Sequence, residues 1–165
     1  MNIDAYTLYA AGRQNLYQRR FEATLQARHQ FEQAIGVDPQ YAEAHAGLAE
    51  SIMLLMINHQ AIVPADAYEL AAAAITRAIE LDPDLAKAHS LVGLIESEKW
   101  KRTRLGNGNQ VAAESFRTAI ELNPNLADTY VWYAGLLESE SKIDAPADTG
   151  VAKKYLASQC KAGLE

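Results

Sequence analysis

Apolar residues recur along this chain at offsets of four, seven and eight. From Ala71 the phrase AAAAITRAIELDP puts Ala71, Ile75, Ala78 and Ile79 on one stripe of an α-helix. The same phrase occurs from Ala27 as ARHQFEQAIGVDP and from Ala112 as AAESFRTAIELNP. Small residues at its first and third apolar positions let a neighbouring helix come close. Phe31, Ile75 and Phe116 fill the space beside them. Asp38-Pro39, Asp82-Pro83 and Asn123-Pro124 then end each helix, because the residue before proline is pushed out of the α region.

A second phrase follows each proline: QYAEAHAGLAE after Pro39, DLAKAHSLVGLIE after Pro83 and NLADTYVWYAGLLE after Pro124. Each predicts a new helix within a few residues, so consecutive helices must lie antiparallel. Gly47, Gly93 and Gly135 fall inside these helices, where glycine costs about 1 kcal/mol relative to alanine. A tight helix crossing would offset that cost. The pattern predicts eight helices, at about 4–19, 22–37, 40–58, 64–82, 84–100, 108–123, 125–141 and 147–163. Val63-Pro64 and Leu105-Gly106-Asn107-Gly108-Asn109 punctuate the links inside pairs, and a further link spans Ile143 to Gly150. None marks a second domain, so residues 1–165 are expected to form one domain of four helix pairs, at about 4–37, 40–82, 84–123 and 125–163. The closing prolines are separated by 44 and 41 residues. Such periods signal stacked supersecondary units, which usually build binding surfaces.

The three phrases resemble the tetratricopeptide repeat. Its second helix carries Ala, a large residue four on, Ala three further, and then a proline. Ala27, Phe31, Ala34 and Pro39 match, as do Ala71, Ile75, Ala78, Pro83 and Ala112, Phe116, Ala119, Pro124. Leu48-Ala49, Val92-Gly93 and Tyr133-Ala134 fit the large-small pair of the first helix, and Ala11-Gly12 is a weaker copy. The resemblance implies an all-α, right-handed superhelical solenoid of antiparallel helix pairs. The period departs from the usual 34 residues. Pro39 to Ala71 and Pro83 to Ala112 are each longer than the repeat requires, so the helices or links inside those pairs must be extended. This long-period form, opening with LYAAGRQNLYQRR, is similar to repeat domains found behind bacterial adenylate cyclase domains and winged-helix transcriptional activators. That likeness implies a regulatory part of a bacterial signalling protein.

Charge and candidate chemistry add little to this picture. The net charge is −6, which argues against nucleic acid or an anionic membrane as the main partner. One basic run, Lys99, Lys101, Arg102 and Arg104, reads as a solvated helix end. The single Cys160 has no internal disulfide partner and fits a reducing, cytoplasmic setting. No apolar run approaches spanning length, and no secretory h-region stands at the start. His45 and His89 occupy equivalent repeat positions, which suits packing better than metal ligation. Glu96 and Glu98, like Glu138 and Glu140, are two apart on a helix and do not face each other as acid/base pairs. No enzyme activity, cofactor or metal is expected. Of Tyr130, Trp132 and Tyr133, two can face the core at helical spacing.

In such a stack the first helices line a concave face. The resemblance then places Glu43, Ala46, Glu50 and Met53 on that face from the second pair. From the third come Lys87, Ser90, Leu94 and Ser97, and from the fourth Asp128, Val131 and Glu138. Tyr6, Tyr9 and Arg13 are candidates from the first pair. This mixture suits a protein or peptide partner. A second expectation is a sensor domain holding a small molecule between repeats, drawn from the enlarged pairs. The last helix carries Val151, Tyr155, Leu156 and Leu164 with no further repeat to cover them, so a homodimer through terminal helices is also expected.

Overall fold

The computed structural model describes residues 2–141. Every regular element among them is an α-helix: α1 (Ile3–Tyr17), α2 (Phe21–Val37), α3 (Ala42–His59), α4 (Pro64–Leu81), α5 (Ala86–Thr103), α6 (Gly108–Leu122) and α7 (Ala127–Ser141). These match the first seven helices expected from sequence to within three residues at each end. The eighth, at 147–163, lies outside the described residues, as do Cys160 and the apolar residues expected to drive dimerisation.

The chain divides into two compact units, Met1–Leu91 and Val92–Glu165. Helices α1 to α4 belong to the first, together with the opening turn and a half of α5. In that unit α1 packs on α2, α2 on α3, α3 on α4 and α1 on α3. The second unit contains the remainder of α5 with α6 and α7, and α6 packs on α7.

Helices α3, α5 and α7 each begin two residues later than the proline spacing suggested, for one repeated reason. The side-chain oxygen of Asp38 accepts the N–H of Gln40 at 3.1 Å. Asp82 does the same for Asp84 at 3.1 Å, and Asn123 for Asn125 at 3.0 Å. The carbonyls of Asp38, Asp82 and Asn123 then accept the N–H groups of Tyr41, Leu85 and Leu126. These Asx turns occupy the residues around each proline before the next helix starts. The residue six beyond each proline fastens the new helix back onto the turn. His45 Nε2 lies 3.0 Å from the Pro39 carbonyl, and His89 Nε2 lies 2.8 Å from that of Pro83. Tyr130 donates its hydroxyl to the Pro124 carbonyl at 2.9 Å. Both histidines therefore tie a helix start to the turn before it.

The links inside pairs stay short despite the long period. Four residues join α3 to α4 and four join α5 to α6. The extra residues went into helix length: α3, α4 and α5 are each 18 residues long. Arg19, Gln60 and Arg104 adopt left-handed backbone where α1, α3 and α5 end, with φ of 51°, 52° and 56°. At Gln60 this lets the N–H groups of Gln60 and Ala61 reach back to the carbonyls of Met56 and Leu55 and satisfy the helix end.

The core is built from the repeated small and large positions. Ala27, Phe31, Ala34, Ala71, Ala78, Ala112, Phe116 and Ala119 are completely buried. Phe31 lies so close to α1 and α3 that a Cβ on Gly12 or Gly47 would come within 2.6 Å of its ring. In the second unit a Cβ on Gly93 would meet Phe116 at 2.7 Å. Gly36 has nothing within 4 Å of such a Cβ.

Three substitutions test this packing. Gly47→Ala should destabilise the protein by about 1–3 kcal/mol through overpacking, although alanine is the better helix former. Gly36→Ala should instead stabilise it by up to about 1 kcal/mol. Urea unfolding of both variants checks the pair, and equal effects would refute the close Phe31 contact. Ala78→Leu, at a position with no exposed surface, should cost about 1–3 kcal/mol in the same measurement.

Candidate functional site

Helix α1 starts at a well-formed cap. The Asn2 side chain accepts from the N–H of Asp4 at 2.9 Å and of Ala5 at 3.4 Å. Its buried stripe, Ala5, Gly12 and Leu16, faces α2 and α3. The neighbouring stripe at helical spacing holds Tyr6, Tyr9, Ala10, Arg13, Gln14 and Tyr17. Together these side chains line an open depression of about 470 Å³. Tyr6 is 49% exposed and Tyr17 72% exposed. Tyr9 is partly buried, with its ring 5.8 Å from that of Phe31 and 5.1 Å from that of Tyr41.

Contact between α1 and α3 brings Arg13 to Glu50. Arg13 Nη1 donates to Glu50 Oε2 at 2.7 Å, and Lys87 Nζ, from the first turn of α5, donates to Glu50 Oε1 at 2.8 Å. One nearly buried carboxylate, 4% exposed, thus joins three helices through residues spaced 37 apart on each side. Arg13 also donates to the Tyr17 hydroxyl at 3.2 Å and sits 5.3 Å from that ring's centre. Burial works against the Arg13 charge, but Glu50 and the Tyr17 hydrogen bond outweigh it, and the guanidinium is held above its usual range. Burial raises the Tyr9 hydroxyl, Arg13 opposes the rise, and Glu43 and Glu50 add to it.

Of the residues that the sequence placed on a concave face, the first unit therefore brings together Arg13, Glu50 and Lys87, flanked by a partly exposed Glu43. Met53 and Ser90 are fully buried there, and so are Ala46 and most of α3 from Ala49 to Met56. These side chains line no open surface. Within the second unit Leu94 is buried too, at 3% exposed, as is Ser97. Asp128 is half-buried, Glu138 is exposed and Val131 is 60% exposed.

Sequence reasoning missed Gln14 and Tyr17, and it missed that Glu50 is an internal tie. The signal was present in GLAESIMLLM, where a lone carboxylate stands inside an apolar run. Such a charge is seldom buried without a partner. The basic run resolves as a paired helix face. Lys99 meets Glu96 and Lys101 meets Glu98, each at 2.8 Å. Arg104 stacks 4.5 Å from the Trp100 ring centre and donates to the Ser139 carbonyl. Tyr130 and Tyr133 are buried and Trp132 is partly so. Among the described residues no group of three or more His, Cys, Asp and Glu could hold a metal ion. No described helix is long and apolar enough to cross a membrane.

Removing the central carboxylate tests this tie. Glu50→Gln leaves Arg13 and Lys87 without their counter-charge and should cost about 1–3 kcal/mol in urea unfolding. Asp66→Asn, on an exposed first turn, should change stability by less than about 0.5 kcal/mol. Equal effects would show that the three-helix tie contributes nothing.

No protein-family model matches the sequence, and no curated protein sequence matches it. Solved structures do. The first TPR of Spaghetti (RPAP3), bound to the HSP90 peptide SRMEEVD, superposes with a TM-score of 0.60 at 16% identity, covering 84% of this chain and 96% of that one. The Sgt2 TPR domain from Aspergillus fumigatus gives 0.59 at 20% identity, covering 89% of this chain and 88% of that one. The Arabidopsis OM64 TPR domain gives 0.57 at 18% identity, with coverages of 80% and 93%. Helices repeating Ala, Phe or Ile, Ala and Pro, Asx turns at the prolines and these superpositions lead to one conclusion: the chain has the tetratricopeptide-repeat fold.

Proposed function

We propose that this chain is a non-catalytic interaction module and that the α1 stripe, with Glu43 of α3 beside it, receives a peptide or protein partner. The observation that carries the reading is the concentration of exposed aromatic and hydrogen-bonding side chains along one stripe. Tyr6, Arg13, Gln14 and Tyr17 line a single depression, and Arg13 is held there by Glu50. Rigid aromatic side chains lose little entropy on binding, and tyrosine and arginine are enriched at the centres of protein interfaces. A neighbour of the same fold holds the HSP90 peptide SRMEEVD, which supports peptide recognition as a use of this architecture. The long-period repeat resembles domains behind bacterial cyclases and transcriptional activators. That supports the narrower reading of a cytoplasmic regulatory part within a bacterial signalling protein.

The sensor alternative drew on enlarged segments inside the pairs. Those residues extend helices and do not form long loops. The open depression on α1 fits a side chain of a larger partner better than a ligand that must be mostly enclosed.

Selection of a displayed random short-peptide library against the intact chain tests the reading. Selected peptides should shift backbone amide signals on α1, on the first half of α3 and around Lys87. Shifts confined to α2 and α4 would refute it. Tyr6→Ala combined with Tyr17→Ala should weaken such peptides about tenfold or more, with the melting temperature little changed.

A further inference from the structure

The charge left over on this face indicates what kind of partner it takes. Arg13 and Lys87 are the cations of the face, and both point at Glu50 within 2.8 Å. Their charge is largely committed inside the protein. Glu43, two turns earlier on α3, makes no hydrogen bond or ion pair among the described residues, and it is only partly buried. Its charge acts on Tyr9 and Tyr41, whose hydroxyls are both held above their ordinary range, first by burial and then in part by Glu43. Tyr6 and Tyr9 stand on the adjoining stripe of α1. Aromatic faces carry negative potential, and a carboxylate beside them adds to it. The site already shows this preference internally, since the Arg13 guanidinium lies over the Tyr17 ring. Asp4 and Asp38 add acid at the same end of the unit, which contains eleven Asp and Glu against six Lys and Arg in residues 1–91.

We propose that Tyr6, Tyr9 and Glu43 form a subsite for a cationic side chain, so that the partner is a basic peptide segment presenting lysine or arginine. The proposal rests on the reading of α1 as a peptide-receiving face and assigns that face a charge preference. An acidic segment would meet Glu43 directly and would have to draw Arg13 or Lys87 away from Glu50. A lysine or arginine meets an available carboxylate beside the tyrosines without disturbing the tie. Such pairing also hastens encounter, because the field of the whole unit attracts a basic segment.

Two displayed peptide libraries, identical except for a fixed central lysine in one and a fixed central glutamate in the other, separate the outcomes when selected against the intact chain. Enrichment of the lysine library is expected. The selected peptides should lose about three- to tenfold in affinity with Glu43→Gln and by a similar factor with Tyr6→Ala. Glu43→Gln should keep the wild-type melting temperature, so a lost affinity cannot be blamed on unfolding. Affinity should also fall as salt rises. Enrichment of the glutamate library, or binding indifferent to Glu43→Gln, overturns the charge assignment while leaving the peptide face standing. Binders from neither library would overturn the peptide-receiving face itself, and this inference with it.

Discussion

Phe31 can be seated where it is only because Gly12 and Gly47 carry no side chain. A methyl group on either backbone would fall within 2.6 Å of the ring. Glycine inside a helix is locally unfavourable by about 1 kcal/mol, and burying a whole phenylalanine is worth more than that. The balance lets α1, α2 and α3 converge on one ring, and the convergence of α1 and α3 sets everything on the face above. Phe116 and Gly93 repeat the arrangement in the second unit.

Close approach of α1 to α3 has an electrostatic consequence. It brings a guanidinium, a carboxylate and an ammonium within hydrogen-bonding reach at a depth where Glu50 is almost dry. A buried charge cluster of this kind gives little net stability over an apolar equivalent, but removing one member is costly. Its structural effect is to fix the positions of α1, α3 and the start of α5. It also pairs the positive charges of Arg13 and Lys87 with one carboxylate.

The turns show how the same result is reached with different residues. Asp-Pro serves in the first two repeats and Asn-Pro in the third. His, His and Tyr take the position six beyond the proline, each reaching the proline carbonyl. What these side chains share is a polar hydrogen at the end of a flat ring. That common property, not the identity of the residue, holds the helix start against the turn.

Helix number, order and approximate ends were legible for the described residues, because a 3.6-residue apolar period closed by proline depends only on local chain chemistry. The same holds for the burial of Ala27, Phe31, Ala78 and Phe116, since small and large residues alternate along one stripe. The candidate face was less legible. Repeat position placed Arg13, Glu50 and Lys87 on it, yet could not tell that Glu50 binds both cations, because that depends on the distance between helices far apart in sequence. It counted Met53, Ser90 and Leu94 as surface, whereas the folded chain buries them. The length of the intra-pair segments was plain, but only the folded chain decided that it became helix. Local propensity settles what each segment is; the spacing of segments in space settles which side chains remain in contact with water, and so which are left to meet a partner.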